Sequence, residues 1–269
     1  MIKAMNILKQ KKGLNEYNVW IDKKRFSFLF DFKANTEDLI IFIHGLACSR
    51  TSFARVLDKS YFPKSSLLLL DLIGFGSSDK LDDFSYTLED QAWLCEQLFL
   101  RLPKYRVHLV AHSMGGGIAL LFSKRFYESV YSFANIEGNL IGQNCSMLSH
   151  RMARVSFKEF KAHIFVELKR KYQNHKIFCF NQTTPLAVYK SAQSLVKWSE
   201  SGKLLKIFKS LSCKKSYFWG EKNRQMPVLT KLDFVKKYMI SKSGHSMMVE
   251  NPKEFYTKLR EFIFPNKSM

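Results

Sequence analysis

The stretch LVAHSMGGG, residues 109–117, decides how this chain is read. Three apolar residues and a histidine lead into Ser113, and three glycines follow Met114. The apolar run has the length and character of a strand buried on both faces, and GGGIALLFSKRF (115–126) continues as a helix packed closely on a sheet. The spacing small-x-Ser-x-Gly, here Ala111, His112, Ser113, Met114 and Gly115, is that of a sharp strand-to-helix turn. Such a turn lifts the serine hydroxyl above the sheet edge. It also points the backbone N–H of the next residue, Met114, at whatever oxygen binds there.

Moving outward, strand-like and helix-like segments alternate. LIIFIHG (39–45) and SSLLLLDLIGFG (65–76) read as buried strands, as do RVHLVAHS (106–113) and YSFANIEG (131–138). Residues 18–32 read as a hairpin turning at 22–24, and 49–57 as a helix. TLEDQAWLCEQLFLRL (87–102) is amphipathic at helical spacing, with Thr87 placed as its cap and Pro103 just beyond its end. The alternation stops near residue 140 and returns with SYFWGE (216–221), KKYMISKSGHS (236–246) and a final helix over 252–264. Repeated βα units predict an α/β fold with a mostly parallel central sheet and helices on both faces. The interruption predicts a helical insertion, so the expected division is a core of 1–139 and 213–269 with an insert of 140–212.

The net charge is +20, and residues 140–212 hold 13 Lys/Arg against three Asp/Glu. Such a balance suits an anionic partner or simply a solvated basic face. No nucleic-acid motif accompanies it, so no nucleic-acid partner is expected. A membrane surface bound through the basic insert stays open. The five cysteines, Cys48, Cys95, Cys145, Cys179 and Cys213, are odd in number and contain no CxxC pair. Neither a metal site nor a disulfide framework is indicated. No apolar stretch reaches the roughly 20 residues of a membrane span. The basic start has no apolar segment or cleavage site of a signal peptide, and a cytoplasmic location is expected.

With its flanking motifs, the elbow resembles the α/β-hydrolase superfamily, and the resemblance covers nearly the whole chain. His44, Gly45 and Leu46 close the early buried strand where that superfamily places its oxyanion loop. DLIGFGSSD (71–79) matches its D-x-x-G-x-G-x-S turn, where Asp71 and Ser77 read as structural. Ser-Gly-His-Ser (243–246) falls where the superfamily places its catalytic base. The resemblance implies Ser113 as nucleophile, His245 as base, and the N–H groups of Leu46 and Met114 as oxyanion donors. His44 is expected to shape its loop, His112 to pack beside the nucleophile, and Cys48 to be a small buried thiol. A serine nucleophile argues against a dehalogenase or epoxide hydrolase, which use aspartate.

The third triad member is open. The superfamily's usual aspartate position, after the glycine of the penultimate strand, holds Asn223 in GEKN (220–223). Two carboxylates can take over: Glu221 beside it, or Glu137 in ANIEGNL (134–140), at the end of the strand after the nucleophile helix. Some superfamily members place their acid on that strand. EGN, followed by Asn144 and Cys145 and then Ser149, His150 and Arg151, resembles that subgroup. Glu137 is the expected acid. The insert is expected to form a cap, its Phe157, Phe160, Phe165, Phe178, Phe180 and Trp198 lining an apolar pocket or packing the cap on the sheet.

The implied activity is a serine hydrolase of carboxylic esters or related small acyl substrates, acting through an acyl-enzyme without cofactor or metal. The same residues serve thioesterases, amidases, carbon–carbon hydrolases and acyltransferases. The Asn223 departure leaves room for a non-enzymatic ligand- or partner-binding protein, and the basic insert for a membrane-surface lipase.

Overall fold

The computed structural model describes residues 9–265, except 12–13, 22–23, 59–60, 103–104, 145–146 and 176. Among them lie nine strands in one sheet: β1 (Lys9–Lys11), β2 (Leu14–Ile21), β3 (Lys24–Lys33), β4 (Asp38–Ile43), β5 (Ser66–Leu70), β6 (Arg106–His112), β7 (Val130–Ile136), β8 (Lys214–Gly220) and β9 (Lys236–Ile240). Their order is β1-β2-β3-β5-β4-β6-β7-β8-β9. The first three strands join antiparallel, as does β3 to β5, and every pairing from β5 to β9 is parallel. This is the α/β-hydrolase type of sheet that the sequence implies.

The strands explain their own burial. Alternate residues of the central strands feed two cores. Leu39, Ile41, Leu68, Leu109 and Phe133 face α1 (Leu88–Phe99) and α2 (Met114–Leu120). Ile40, Phe42, Leu69, Val110 and Phe218 face α9 (Met247–Glu250), α10 (Pro252–Ile263) and a 3₁₀ helix at Arg50–Leu57. With helices on both faces, both sets must be apolar, which is why the strands read as continuous runs. The chain leaves β4 for β5 on one side and takes up β6 on the other, with Ile43 opposite Ala111. Ligands in open α/β sheets bind at the carboxyl ends of strands where the order reverses in this way.

Several local expectations hold, and one is corrected. The hairpin forms, with Ile21 opposite Lys24, and its tip at 22–23 lies outside the described residues. Thr87 caps α1 by accepting the Asp90 N–H (3.2 Å); α1 ends at Phe99, and Pro103 is outside the described residues. Residues 50–57 are helical as expected, in the 3₁₀ form. The helix expected over 115–126 breaks at Leu120, and a short α3 (Lys124–Tyr127) follows. Ser123 causes the restart: its Oγ accepts the Phe126 N–H (3.1 Å), and its own N–H donates to Glu96 (2.9 Å). A serine that finds such partners competes with helix continuation.

Between β7 and β8 the chain forms α4 (Met147–Ala153), α5 (Phe157–Glu159), a π turn at Phe160–Ile164, α6 (Phe165–Lys171), α7 (Pro185–Glu200) and α8 (Lys203–Ser210). The segment is helical as read. Its last helix lies on the sheet, with Phe208 against Phe133 at 5.7 Å between ring centroids.

Candidate active site

One residue separates β6 from α2. Ser113 sits there with φ 54°, in the left-handed region that a residue with a Cβ enters only under constraint. Its N–H donates to the Ile136 carbonyl (2.9 Å), and its own carbonyl accepts the Gly116 N–H (2.9 Å). Close approach of β4 requires the glycines. A Cβ on Gly115 would lie 2.6 Å from the carbonyl oxygens of both Ile43 and His44, and one on Gly45 would lie 3.1 Å from the Ser113 Cβ. The loop carrying Leu46 therefore rests directly against the turn. His44 holds that loop: it donates from Nδ1 to the Gly45 carbonyl (2.8 Å), and its Nε2 accepts the Leu72 N–H (3.1 Å). Burial lowers its pKa, in keeping with this neutral form.

The DLIGFGSSD turn stabilises the other side of the loop. Asp71 is fully buried and ion-paired to Arg50 (2.7 Å), and it accepts the N–H groups of Arg50 and Ser77. Gly76 has φ 54°, and a Cβ there would collide with the Asp71 carboxylate at 2.2 Å. Asp71 and Ser77 thus act on structure, as read.

Beside β6, β7 runs into Glu137, which also has a left-handed φ of 43°. Its carboxylate is almost wholly buried and surrounded by N–H donors. Oε1 accepts the Gly220 N–H (2.9 Å), Oε2 accepts His245 Nδ1–H (2.7 Å), and Asn223 Nδ2 stands 2.9 Å from each oxygen. Burial alone would raise the Glu137 pKa. The hydrogen bond and charge of His245, with the bonds from Gly220 and Asn223, outweigh it and hold the group below the usual carboxylate range. Glu221 is placed elsewhere: its Oε2 accepts the Lys242 N–H (2.8 Å) in the next loop.

His245 follows β9 in a loop fixed at several points. Ser243 Oγ donates to the Ile240 carbonyl (2.8 Å), and Glu250 accepts the N–H groups of Gly244 and Ser246. The His245 carbonyl accepts Nε2–H of the buried His112 (2.9 Å). The tip of β8 passes so near this loop that a Cβ on Gly220 would meet the Gly244 carbonyl at 2.2 Å. Ser113, Glu137 and His245 all border one cavity of about 560 Å³. Ser113 Oγ donates to Asn139 Oδ1 (3.3 Å) in this state. Leu46 borders the cavity, and Met114, buried beneath it, is the first residue of α2, whose N–H has no partner within the helix.

A model of the α/β-hydrolase fold family matches residues 38–152, from β4 through the elbow and Glu137 to α4. The chain has the α/β-hydrolase fold. A thermophilic esterase from Thermogutta terrifontis superposes on this chain with a TM-score of 0.67 and 18% identity, over 92% of this chain and 97% of that one. A Haemophilus influenzae protein provisionally named 2-succinyl-6-hydroxy-2,4-cyclohexadiene-1-carboxylate synthase is 22% identical over 253 residues, 83% of this chain and 96% of that protein. An Arabidopsis thaliana protein provisionally named lysophospholipase BODYGUARD 3 is 37% identical over 92 residues, 32% of this chain and 18% of its own. The match spans only 18–26% of the length of the first curated relatives.

The rest of the cavity is mainly apolar. Phe178 and Phe180 line it, with Leu148, Met152, Ile177 and Met226. The other aromatics named from sequence do not. Phe160 packs on Phe165 and Tyr189, Phe157 also packs on Tyr189, and Trp198 is half-buried near Lys203. Phe157, Phe160 and Phe165 pack among the helices of their own segment, a distinction that spacing alone does not make. Cys48 borders the cavity as a buried thiol whose pKa burial pushes up. Cys145 lies outside the described residues. No group of three His, Cys, Asp or Glu among the described residues is arranged for a metal ion, and none of the described helices is long and apolar enough to cross a membrane. Sequence reasoning missed two polar partners. Asn139 stands within the NIEGN stretch as a partner of Ser113. Asn223 appears from sequence only as a missing acid, yet it is bonded to the acid on the next strand.

Proposed function

We propose that this protein is a serine hydrolase of carboxylic esters or related acyl substrates, with Ser113, His245 and Glu137 as its triad. One observation carries the reading: the His245 imidazole is held at 2.7 Å by the buried Glu137 carboxylate, on the wall of the cavity that Ser113 enters from its elbow. That bond fixes the proton on Nδ1 and leaves Nε2 free to act as base. Ser113 Oγ rotates from Asn139 to His245, gives its proton to Nε2 and attacks the acyl carbon. The N–H groups of Leu46 and Met114 hold the tetrahedral oxyanion. His245 returns the proton to the leaving oxygen, leaving an acyl-enzyme. Water, deprotonated by His245, then releases the acid and restores Ser113.

Residues 140–212 serve as the cap. Leu148, Met152, Phe178 and Phe180 form the apolar wall that selects the acyl chain. The names carried by the esterase and lysophospholipase relatives support ester chemistry.

Labelling with a fluorophosphonate probe tests the reading in wild type, Ser113→Ala, Glu137→Gln and Glu221→Gln. Wild type and Glu221→Gln should label at similar rates, Ser113→Ala not at all, and Glu137→Gln far more slowly. Failure of wild type to label sinks the serine-hydrolase reading, and a full rate in Glu137→Gln sinks this acid.

A second reading, attachment to an anionic membrane surface, draws on the exposed Lys158, Lys161, Lys169 and Arg170 around Val166, itself 58% exposed. Activity that rises on anionic but not zwitterionic vesicles supports it, and equal activity on both removes it.

A further inference from the structure

The position that resemblance reserves for the triad acid holds an amide, and that amide lies on the acid that replaces it. We propose that Asn223 is a positioning residue that holds the Glu137 carboxylate in place against His245. The assignment rests on the serine-hydrolase reading.

The geometry is specific. Glu137 lies at the end of β7, and Asn223 ends the short 3₁₀ turn Glu221–Asn223 that follows β8, so two neighbouring strands meet at one carboxylate. The Asn223 NH₂ has two hydrogens and stands 2.9 Å from both Oε1 and Oε2, straddling the group. The Gly220 N–H fixes Oε1 at 2.9 Å, which leaves Oε2 aimed at His245. The left-handed backbone at Glu137 sets where the side chain starts, and these donors set where it ends. The turn is itself anchored: the Met226 N–H donates to the Asn223 carbonyl (3.0 Å), and Glu221 holds the Lys242 N–H.

The chemistry of an amide suits this place better than a charge of either sign. A buried carboxylate needs donors to stay ionised. A lysine or arginine at 223 would supply them but would also neutralise the charge that stabilises the His245 imidazolium. An aspartate would place a second carboxylate at about the same distance, and like charges that close share a proton. Asn223 satisfies Glu137 and leaves its charge for His245. The other titratable groups facing the pair stay neutral. Tyr217 on β8 is pushed well above its usual range by burial and then by the Glu137 charge. His112 on β6 is held well below its usual range by burial and then by His245.

Two isosteric variants give opposite signs. Asn223→Leu removes the donors, so Glu137 is harder to ionise and its pKa rises. Per titrated active site, kcat should fall roughly 10- to 100-fold with KM little changed. The deficit should grow toward acid pH. In Asn223→Asp the introduced carboxyl can still donate while it is protonated at low pH, so the deficit should grow instead as pH rises and that carboxyl ionises. A role in folding alone lowers the melting temperature and the titratable fraction, with a wild-type pH profile in the sites that remain. Wild-type profiles, or a deficit independent of pH in both variants, overturn the assignment while leaving the triad standing. A wild-type enzyme that takes no phosphonate overturns the triad and this assignment with it.

Discussion

Glu137→Gln keeps the shape of the side chain and removes its charge. In a serine-protease triad the same exchange costs about 10⁴ in rate. A comparable loss of kcat/KM on a dissolved ester is expected here, with Glu221→Gln near wild type because Glu221 serves the Lys242 N–H. Gly115→Ala tests the elbow. The new Cβ would stand 2.6 Å from two carbonyls, those of Ile43 and His44, so β4 and α2 must separate. A loss of about 1–3 kcal/mol in urea unfolding is expected, together with slower phosphonate labelling. At this scale the sequence points to Ser113 and His245 because each sits in a short motif beside a strand end. The preference for Glu137 over Glu221 comes from resemblance and not from spacing, since the contact itself depends on which loop each carboxylate meets across the sheet.

Helices and turns depend on partners as well as on pattern. Helix α1 follows its periodicity and cap. The 115–126 segment does not continue as one helix, because Ser123 finds Glu96, a residue on another element. The Arg50–Asp71 pair ties the 3₁₀ segment Arg50–Leu57 to the turn after β5. Arg50→Met would leave Asp71, fully buried, without its cation, and about 3–5 kcal/mol of stability should be lost. Chemical denaturation measures this directly, and an unchanged midpoint would show that the Ser77 and Arg50 backbone N–H groups suffice.

Across the whole molecule, the two ends of the sheet carry similar residues with different fates. At the ends of β4, β6 and β7 opposite the cavity, Ser132 Oγ lies 2.8 Å from His108 Nδ1, and His108 Nε2 lies 3.4 Å from Asp38. All three are buried, and Arg106 also binds Asp38 (2.7 Å), so this Ser–His–Asp chain is a structural bridge. Burial outweighs the pull of Asp38 and lowers the His108 pKa to about 4 from 6.5. The unfolded chain therefore binds that proton more readily. The stability held by neutral His108 is complete above pH 6.5 and declines as pH falls toward 4, by on the order of 3 kcal/mol. Unfolding free energies across that window should show the slope, and His108→Gln should flatten it. By itself the sequence determined the alternation of buried strands and helices, the strand-to-helix turn at Ser113, the loop glycines and the place of His245 after the last strand, because each is written in contacts between residues near one another in the chain. Only the tertiary structure decided that Glu137 rather than Glu221 meets His245, that Asn223 partners that acid, and which aromatics face the cavity. Those are contacts between neighbouring strands and packed helices, and the register and packing that make them are set by the whole sheet.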